Sequence, residues 1–170
     1  QMKLKTILIV NPNAGDRNAG KNWKEIFLKL RRATPEIELE FTSHRNHAIS
    51  ITKKAVEEGC RKVIILGGDG TLNEAANGIL LQKKVPPTHV LLGLIPIGSG
   101  DDWCRTFNVP MDTSEAIDII KNERTFLQDV GKVTYSNEGK RVSRYFMNMA
   151  GMGFDALVAH KVNQDKERHQ

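Results

Sequence analysis

A short glycine-rich stretch near the middle of the chain has residue types that could hold a phosphate group. The apolar run 62–66 leads into Gly67, Gly68, Asp69 and Gly70, and a helical pattern follows. Glycine lacks a Cβ atom and tolerates positive φ, so a ligand can come close to the backbone there. The N–H groups of such a turn, and of the helix that it opens, can point at a phosphate. The stretch therefore predicts a phosphate cradle.

Asp69 needs an explanation, because a carboxylate placed beside phosphates repels them. The repulsion becomes attraction if Mg²⁺ lies between the two, or if the carboxylate accepts a proton from an attacking hydroxyl group. Both alternatives point to phosphoryl transfer from a nucleotide. The structural alternative is a plain tight turn, with packing glycines and a solvated aspartate.

Two further turn-rich segments follow predicted strands and favour the cradle over the plain turn. One is Asn-Pro-Asn-Ala-Gly at residues 11–15, and the other is Gly-Ser-Gly at residues 98–100. Ligands of open parallel sheets bind outside the carboxyl ends of the strands, so the three segments should converge on one crevice. The chain carries neither the P-loop pattern nor the Gly-x-Gly-x-x-Gly pattern after its first strand.

The elements that position these segments alternate between strand and helix. Apolar and alternating runs predict strands at residues 5–10, 37–41, 62–66 and 90–95. Helical spacing predicts helices at residues 22–32, 47–59, 71–81 and 102–107, and another that opens at residue 112. We expect capping boxes at Thr71 with Glu74 and at Asp112 with Glu115. The order predicts an α/β fold, a parallel sheet with helices on both faces.

The pattern changes after residue 122. Two extended runs, residues 126–135 and 141–149, flank a turn at residues 136–139, which predicts a β-hairpin. Two β runs with no helix between them predict antiparallel sheet. We therefore expect an α/β domain over residues 1–125 and the beginning of a β-rich second domain over residues 126–170.

The amino-acid composition limits the classes of function that this chain can have. The 170 residues, 39% hydrophobic and 26% charged, fit one globular domain or one domain and the start of another. Two distant cysteines form neither a disulfide framework nor a zinc spacing, which favours the cytoplasm. The net charge of +5 suits an anionic partner, although most Lys and Arg are expected on the solvated surface. Aromatic residues make up 6% with no basic stripe among them, which argues against a nucleic-acid partner.

Four segments together resemble the diacylglycerol kinase catalytic-domain family, which includes bacterial diacylglycerol kinases and sphingosine kinases. GGDGTLNE at residues 67–74 is similar to the family signature, and residues 11–15 to its first nucleotide loop. PIGSGDDW at residues 96–103 is similar to the family motif Pro-x-Gly-Thr-x-Asn-Asp-Phe. NMAGMGFD at residues 148–155 resembles the segment that opens the second domain. The resemblance implies an NAD kinase-like α/β domain, a β-sandwich domain, and Mg-ATP in the cleft between them.

The same resemblance implies residue roles and cofactors. It implies that this chain belongs to an ATP-dependent lipid kinase whose cofactors are ATP and Mg²⁺. It assigns no residue of this chain as a metal ligand. Asp69 would face the γ-phosphate and the acceptor hydroxyl, and Asp102 would be a second acidic group nearby. Thr42 matches a nucleotide-contacting threonine, with an ordinary strand end as the alternative, and Ser99 keeps the hydroxyl of the family threonine. The nucleotide contacts carried over are Asn11, Pro12, Asn13, Ala14, Gly15, Thr42, Gly67, Gly68, Asp69, Gly70, Thr71, Leu72, Asn73, Glu74 and Ser99.

The implied partner is a lipid alcohol such as diacylglycerol, met by a cytoplasmic enzyme at the inner face of the membrane. No nucleic acid is expected, and the oligomeric state stays open, with a homodimer among the alternatives. Five basic residues of the first helix could meet anionic lipid, but the solvated face of an amphipathic helix is the preferred interpretation: Lys21, Lys24, Lys29, Arg31 and Arg32.

The chain departs from the family pattern in two ways. Asp101 stands where the family usually has Asn, which adds negative charge beside the nucleotide. Family members are much longer, and the Asp-Gly-Glu segment of their sandwich domain does not occur in these residues. We therefore expect an N-terminal fragment that lacks half of its cleft.

Two alternatives to the lipid kinase remain. NAD kinases share Gly-Gly-Asp-Gly-Thr, but Asn73 and Glu74 follow it directly here, whereas NAD kinases carry that pair in a separate downstream motif. A nucleotide-binding module without turnover is the second alternative.

Other conspicuous residues favour structural roles. His44 and His47 are expected to be surface histidines rather than metal ligands, because no third ligand accompanies them in the sequence. Cys104 is expected to be a buried, inert thiol. Trp103 and Phe107 could form the mouth of a lipid pocket, but packing of the short helix into the core is slightly favoured.

Overall fold

Four apolar runs form a parallel β-sheet in the computed structural model, which describes residues 4–15, 18–97 and 101–148. The order of the strands across the sheet is β2-β1-β3-β4, and each neighbouring pair is parallel. The predicted strands are confirmed to within one residue at either end: β1 (Thr6–Val10), β2 (Glu38–Phe41), β3 (Lys62–Gly67) and β4 (Leu91–Pro96).

The helices follow the predicted order along the chain. Asp112 caps the last of them as predicted, because its Oδ1 accepts hydrogen bonds from the N–H groups of Ser114 (2.9 Å) and Glu115 (3.0 Å). None of the described helices has both the length and the apolar character needed to span a bilayer. The helices are α1 (Asn18–Ala33), α2 (His47–Glu57), α3 (Asp69–Leu81), α4 (Asp102–Thr106) and α5 (Thr113–Lys121).

The sheet is covered on both faces, which confirms the predicted α/β architecture. Successive strand residues point to opposite faces, so each central strand contributes to two cores. One core joins the sheet to α1 and α5 and includes Leu8, Val10, Ile64 and Leu66. The other joins it to α2, α3 and α4 and includes Ile7, Ile9, Val63 and Ile65. Each fully buried aliphatic side chain stabilises the fold by about 1.5–3 kcal/mol, so these alternating residues fix the sheet.

A glycine allows α2 and α3 to pack closely. A Cβ atom on Gly78 would lie 2.6 Å from the carbonyl oxygen of Ile49 and 2.8 Å from Cβ of Thr52. Since real Cβ atoms do not approach other atoms so closely, this contact between the helices requires glycine. The contact holds α3 at a fixed distance from α2.

A β-hairpin follows the α/β elements, as predicted. Its strands are β5 (Gly131–Asn137) and β6 (Lys140–Phe146), which pair antiparallel. Glu138 and Gly139 connect them with φ values of 50° and 74°, the positive values that a two-residue type I′ turn requires. The first strand begins at Gly131 instead of residue 126. The division into two domains at residue 125 stays a prediction.

Buried Asn77 attaches the hairpin to α3. Its Nδ2 donates to the carbonyl oxygen of Tyr145 (2.9 Å), and the Tyr145 N–H donates to its Oδ1 (3.0 Å). The same Nδ2 also lies 2.8 Å from the carbonyl oxygen of Asn73. The amide therefore pairs with β6 as a neighbouring strand would, and only 2% of Asn77 is exposed.

Some predicted features lie outside the described residues. They are the loop 98–100, which contains Ser99, and residues 149–170, which contain most of the predicted 148–155 segment.

We predict that Asn77→Asp loosens the hairpin, because a buried carboxylate cannot donate to the Tyr145 carbonyl. The free energy of unfolding should fall by about 1–3 kcal/mol. The amide of Tyr145 should exchange its hydrogen faster. Asn137→Asp is the matched control, because it makes the same change on an exposed residue of the same hairpin. Unchanged protection of the Tyr145 amide would contradict this role of Asn77.

Candidate functional site

The carboxyl ends of the four strands bring the predicted loops together. Asn11 follows β1, and its N–H donates to a β3 carbonyl (3.0 Å). Thr42 follows β2, is buried, and its N–H donates to the last carbonyl of β1 (2.9 Å). Ile97 follows β4, and its N–H donates to the last carbonyl of β3 (2.9 Å). The segments 11–15 and 67–71 therefore lie side by side, as the sequence predicts, and Ile97 lies next to the end of β3. Because segment 98–100 lies outside the described residues, its approach to the other two stays a prediction.

Asn11 shapes the first loop and ties it to α3. Its Nδ2 donates to Oγ1 of Thr71 at 2.9 Å, which places the loop over the first turn of the helix. Its Oδ1 accepts from the N–H of Asn13 (3.1 Å), and its carbonyl accepts from the N–H of Ala14 (3.1 Å). These bonds form a compact turn around Pro12, so the loop presents its backbone in a defined shape.

Gly15 closes the first loop against the start of the third. Its φ is +57°, a conformation that favours glycine. A Cβ atom there would lie 2.8 Å from both the carbonyl oxygen and Cγ2 of Ile97. Nucleotide contact by Gly15 stays a prediction, and the structure shows that this glycine lets the first loop touch Ile97 at the end of β4.

The glycines of the central loop provide close approach rather than unusual backbone angles. Gly68 is the N-cap of α3 with an extended backbone, φ −117° and ψ −173°, and neither Gly67 nor Gly70 has positive φ. A Cβ on Gly67 would lie 3.2 Å from Oγ1 of Thr71, so this glycine packs against the helix. A Cβ on Gly70 would meet nothing within 4 Å, which leaves open space beside the first turn of α3.

The predicted capping box of Thr71 and Glu74 is wrong. The helix begins at Asp69, two residues earlier than predicted, so Thr71 lies inside its first turn. The carboxylate of Glu74 instead accepts hydrogen bonds from the N–H groups of Asn46 (2.8 Å) and Ala48 (3.2 Å). The start of α2 lies beside α3 and needs acceptors for its first N–H groups, and Glu74 supplies them.

Asp69 joins the second loop to the third. Its Oδ2 accepts from the N–H of Asp102 at 2.8 Å and lies 3.4 Å from the N–H nitrogen of Trp103. The other oxygen, Oδ1, is buried and has no hydrogen-bond partner within residues 4–15, 18–97 and 101–148. One oxygen of the carboxylate is therefore fixed by backbone, and the other is available to a ligand.

The structure brings Asp102 to Asp69 through its backbone, but the Asp102 carboxylate points elsewhere. Its Oδ1 lies 2.9 Å from Nη1 of Arg105, and the side chain is 75% exposed.

Cys104, also in α4, is buried. Its burial raises the pKa of the thiol to about 12, and the negative charges of Asp101 and Asp69 add to this effect. The thiol therefore stays protonated at neutral pH, in agreement with the predicted inert cysteine.

Asn73 provides a second oxygen in the same environment. It lies four residues after Asp69, on the same face of α3, and its Oδ1 is also buried without a hydrogen-bond partner in the described part of the chain. Carboxylate and amide oxygens suit Mg²⁺, which keeps several waters and binds substrate phosphates. These two residues therefore fit the Mg²⁺ ion that the sequence implies, although the described residues form no cluster of three or more protein ligands.

His44 and His47 form a stacked pair at the start of α2. Their ring centroids lie 4.6 Å apart, and Nδ1 of His47 accepts from the N–H of Ser43 at 3.1 Å. They help to shape the connection between β2 and α2.

The sequence analysis missed two amides that hold the surroundings of the site. Gln128 accepts from the indole N–H of Trp103 (2.8 Å) and donates to the carbonyl of Met147 (2.8 Å). Asn77 holds β6 on α3. A polar residue among the apolar residues of α3 was the available signal for Asn77, whereas Gln128 lies in an extended segment that offers no such pattern.

Comparison with known sequences and structures matches this site to one family. The sequence profile described as the diacylglycerol kinase catalytic domain matches residues 5–133, which include all four strands of the sheet. This chain belongs to the diacylglycerol kinase catalytic-domain family. The resemblance predicted from the motifs is confirmed, as is the α/β fold that it implied.

Diacylglycerol kinases from several bacteria are similar to this chain. The diacylglycerol kinase of Staphylococcus carnosus is 32% identical over 162 residues, which cover 95% of this chain and 49% of that protein. The diacylglycerol kinase of Staphylococcus haemolyticus is 33% identical over 154 residues, 91% of this chain and 43% of that protein. The chain therefore spans about half the length of the curated relatives that it matches.

Solved structures support the same family. A crystal structure of a diacylglycerol kinase from Bacillus anthracis superposes with a TM-score of 0.62 at 28% sequence identity. The match covers 83% of this chain and 48% of that chain. Most of this chain therefore has the same fold as about half of that solved structure.

We predict that Asp69→Ala destabilises the site, because it removes the acceptor for the first N–H groups of α4. The free energy of unfolding should fall by about 1 kcal/mol, as for loss of a helix cap. Asp69→Asn keeps an oxygen acceptor and should cost a fraction of that amount. Denaturant titration of both variants measures the difference. Equal stability of Asp69→Ala and the parent would contradict the capping contact.

Proposed function

We propose that this chain is the nucleotide-binding part of a lipid kinase that transfers the γ-phosphoryl group of Mg-ATP to the hydroxyl of a lipid alcohol such as diacylglycerol. Membership of the family and relatives named diacylglycerol kinase support the class of reaction. The observation that carries the proposal is the position of the Asp69 carboxylate. One of its oxygens accepts a hydrogen bond from the start of α4, and the other is buried and available beside the open space at the start of α3.

The phosphates of ATP would lie at the start of α3. The first N–H groups of a helix lack partners within it, and the helix dipole adds partial positive charge there, so both favour a phosphate. Open space beside Gly70 lets the phosphates approach the backbone. The compact loop around Asn11 and the buried Thr42 would border the rest of the nucleotide.

Mg²⁺, when bound, would neutralise the charge that develops on the transferred phosphoryl group. The Oδ1 atoms of Asp69 and Asn73 would hold it, together with water and phosphate oxygens. Alternatively, Oδ1 of Asp69 accepts the proton of the attacking hydroxyl. In that step the hydroxyl oxygen bonds to the γ-phosphorus, the bond to the β–γ bridging oxygen breaks, and ADP leaves. Asp102 and the remaining predicted contacts stay proposals.

The acceptor determines where the reaction takes place. A long-chain lipid alcohol resides in the membrane, so the enzyme would work from the cytoplasm and contact the inner face of the membrane peripherally. Positively charged side chains favour contact with anionic lipid, and the chain carries a net charge of +5.

We predict that Asp69→Asn in the full-length gene product lowers kcat by at least about a hundredfold, because it removes the carboxylate that serves Mg²⁺ or the acceptor hydroxyl. The dissociation constant for ATP should change by only a few-fold, because the backbone cradle stays intact. Steady-state kinetics and calorimetric titration measure the two quantities. Asp118→Asn, a substitution on the exposed face of α5, is the matched control. A kcat equal to that of the control would overturn the role of Asp69.

A further inference from the structure

The side-chain amide of Gln128 bridges α4 and the end of β6. Its Oε1 accepts from the indole N–H of Trp103 at 2.8 Å, and its Nε2 donates to the carbonyl oxygen of Met147 at 2.8 Å. Since Trp103 is only 6% exposed, its indole N–H needs a partner inside the protein. Gln128 supplies that partner and at the same time binds the hairpin.

An aromatic cluster fixes the indole of Trp103 in place. The centroid of its ring lies 5.1 Å from that of Phe107 and 6.2 Å from that of Phe126, and the two Phe rings stack at 4.8 Å. Trp103 and Phe107 pack into the core beside α4, the role that the sequence favoured for them. An indole held in this way cannot turn toward another acceptor. Loss of the Gln128 amide would therefore leave the N–H unpaired or displace α4.

Trp103 passes this restraint on to Asp69. The backbone nitrogen of Trp103 lies 3.4 Å from Oδ2 of Asp69, and the N–H of Asp102 donates to the same oxygen at 2.8 Å. Helix α4 has only five residues, so a shift of the indole moves these first N–H groups with it. Gln128 therefore acts on the orientation of the Asp69 carboxylate through Trp103.

The hydrogen bonds form a closed circuit that includes the hairpin. Met147, which Gln128 holds, follows β6 directly. The backbone of Tyr145 in β6 makes two hydrogen bonds to Asn77, at 2.9 and 3.0 Å. Asn77 lies on α3, the helix that begins with Asp69. The circuit thus leads from Asp69 through α4, Gln128 and the hairpin back to α3, so the position of the hairpin contributes to the geometry of the candidate site.

We propose that Gln128 is a positioning residue for phosphoryl transfer, which holds the Asp69 carboxylate in its reactive orientation while the hairpin is docked on α3 and α4. The inference rests on the proposed function, because it concerns the carboxylate that serves Mg²⁺ or the acceptor hydroxyl. Transfer is sensitive to small displacements of such a group. Binding of ATP depends mainly on the backbone of the loops and of the start of α3. Loss of the bridge should therefore affect kcat more than KM for ATP.

Steady-state kinetics of the full-length gene product, with Mg-ATP and lipid alcohols in micelles, test the proposal. Gln128→Leu keeps the approximate size of the side chain and removes both of its hydrogen bonds. We expect kcat to fall by about tenfold, the effect of one unpaired buried polar group, and KM for ATP to change by less than about twofold. Thr125→Val is the matched control, because it also replaces a polar by an apolar side chain, on an exposed residue of the same segment. A kcat of Gln128→Leu equal to that of the control would overturn the positioning role.

Trp103→Phe tests whether the effect of Gln128 passes through the indole. This substitution keeps an aromatic ring in the cluster and removes the N–H. In that background, Gln128→Leu should lower kcat by less than about twofold instead of about tenfold, because the donor that Gln128 binds is already absent. A purely structural role of Gln128 would not produce this dependence. An equal fall in kcat in both backgrounds would overturn the path through Trp103.

Hydrogen exchange without ATP or lipid tests the same restraint without turnover. Mass spectrometry follows the peptides of the full-length gene product that span residues 101–106. We expect their amides to exchange about tenfold faster in Gln128→Leu and at the rate of the parent in Thr125→Val. Unchanged exchange in Gln128→Leu would overturn the restraint on α4. Faster exchange in a protein that phosphorylates no lipid would support the restraint and overturn the proposed reaction instead.

Discussion

The hydrogen bonds between the Asp69 carboxylate and the start of α4 hold the candidate site together. A parallel sheet places the ends of β3 and β4 next to each other, but it does not by itself fix the loops that follow them. Oδ2 of Asp69 accepts from the backbone of Asp102, which joins the loop after β3 to the loop after β4. The bond also fixes the orientation of the carboxylate, so Oδ1 faces a defined position. A group that must meet a metal ion or a hydroxyl within a few tenths of an ångström needs such support.

Helix α3 connects this site to the hairpin. Asp69, Asn73 and Asn77 recur every four residues and therefore form a polar stripe along one face of α3. Asp69 holds α4, and Asn77 holds β6. Since Gly78 fixes α3 against α2, the loop after β4 and the hairpin are both attached to one rigid element. The hairpin thus starts from a defined position relative to the loops that follow β1 and β3.

The sequence predicted the sheet well because its strands are short, buried and bounded by turn residues. The continuous apolar run at residues 6–10 predicts a buried strand, and the alternation of strands with helices predicts helices on both faces; the two cores confirm both. The family was predictable because the residues around Asp69 occur in a specific strand-to-helix setting. The predicted cap of α5 at Asp112 depended only on neighbouring residues, and it is present.

Features that depend on distant residues were not predictable. Glu74 fits a capping box by spacing, but α2 lies close enough to take both of its oxygens. The pairing of Asn77 with Tyr145 joins residues 68 positions apart, and the local sequence does not indicate it. The contact of Gln128 with Trp103 likewise depends on how residues 123–130 fold back over β4. Local patterns therefore predicted elements and loops, whereas the contacts that aim the side chains arise from packing.

The reaction that we propose is the phosphorylation of a lipid alcohol. The most direct test incubates the full-length gene product with Mg-ATP labelled at the γ position, together with a panel of lipid alcohols in micelles and free NAD. The account predicts label in a lipid, and the labelled species would identify the acceptor. Label in NAD alone, or no transfer by a protein that still binds ATP, would contradict it.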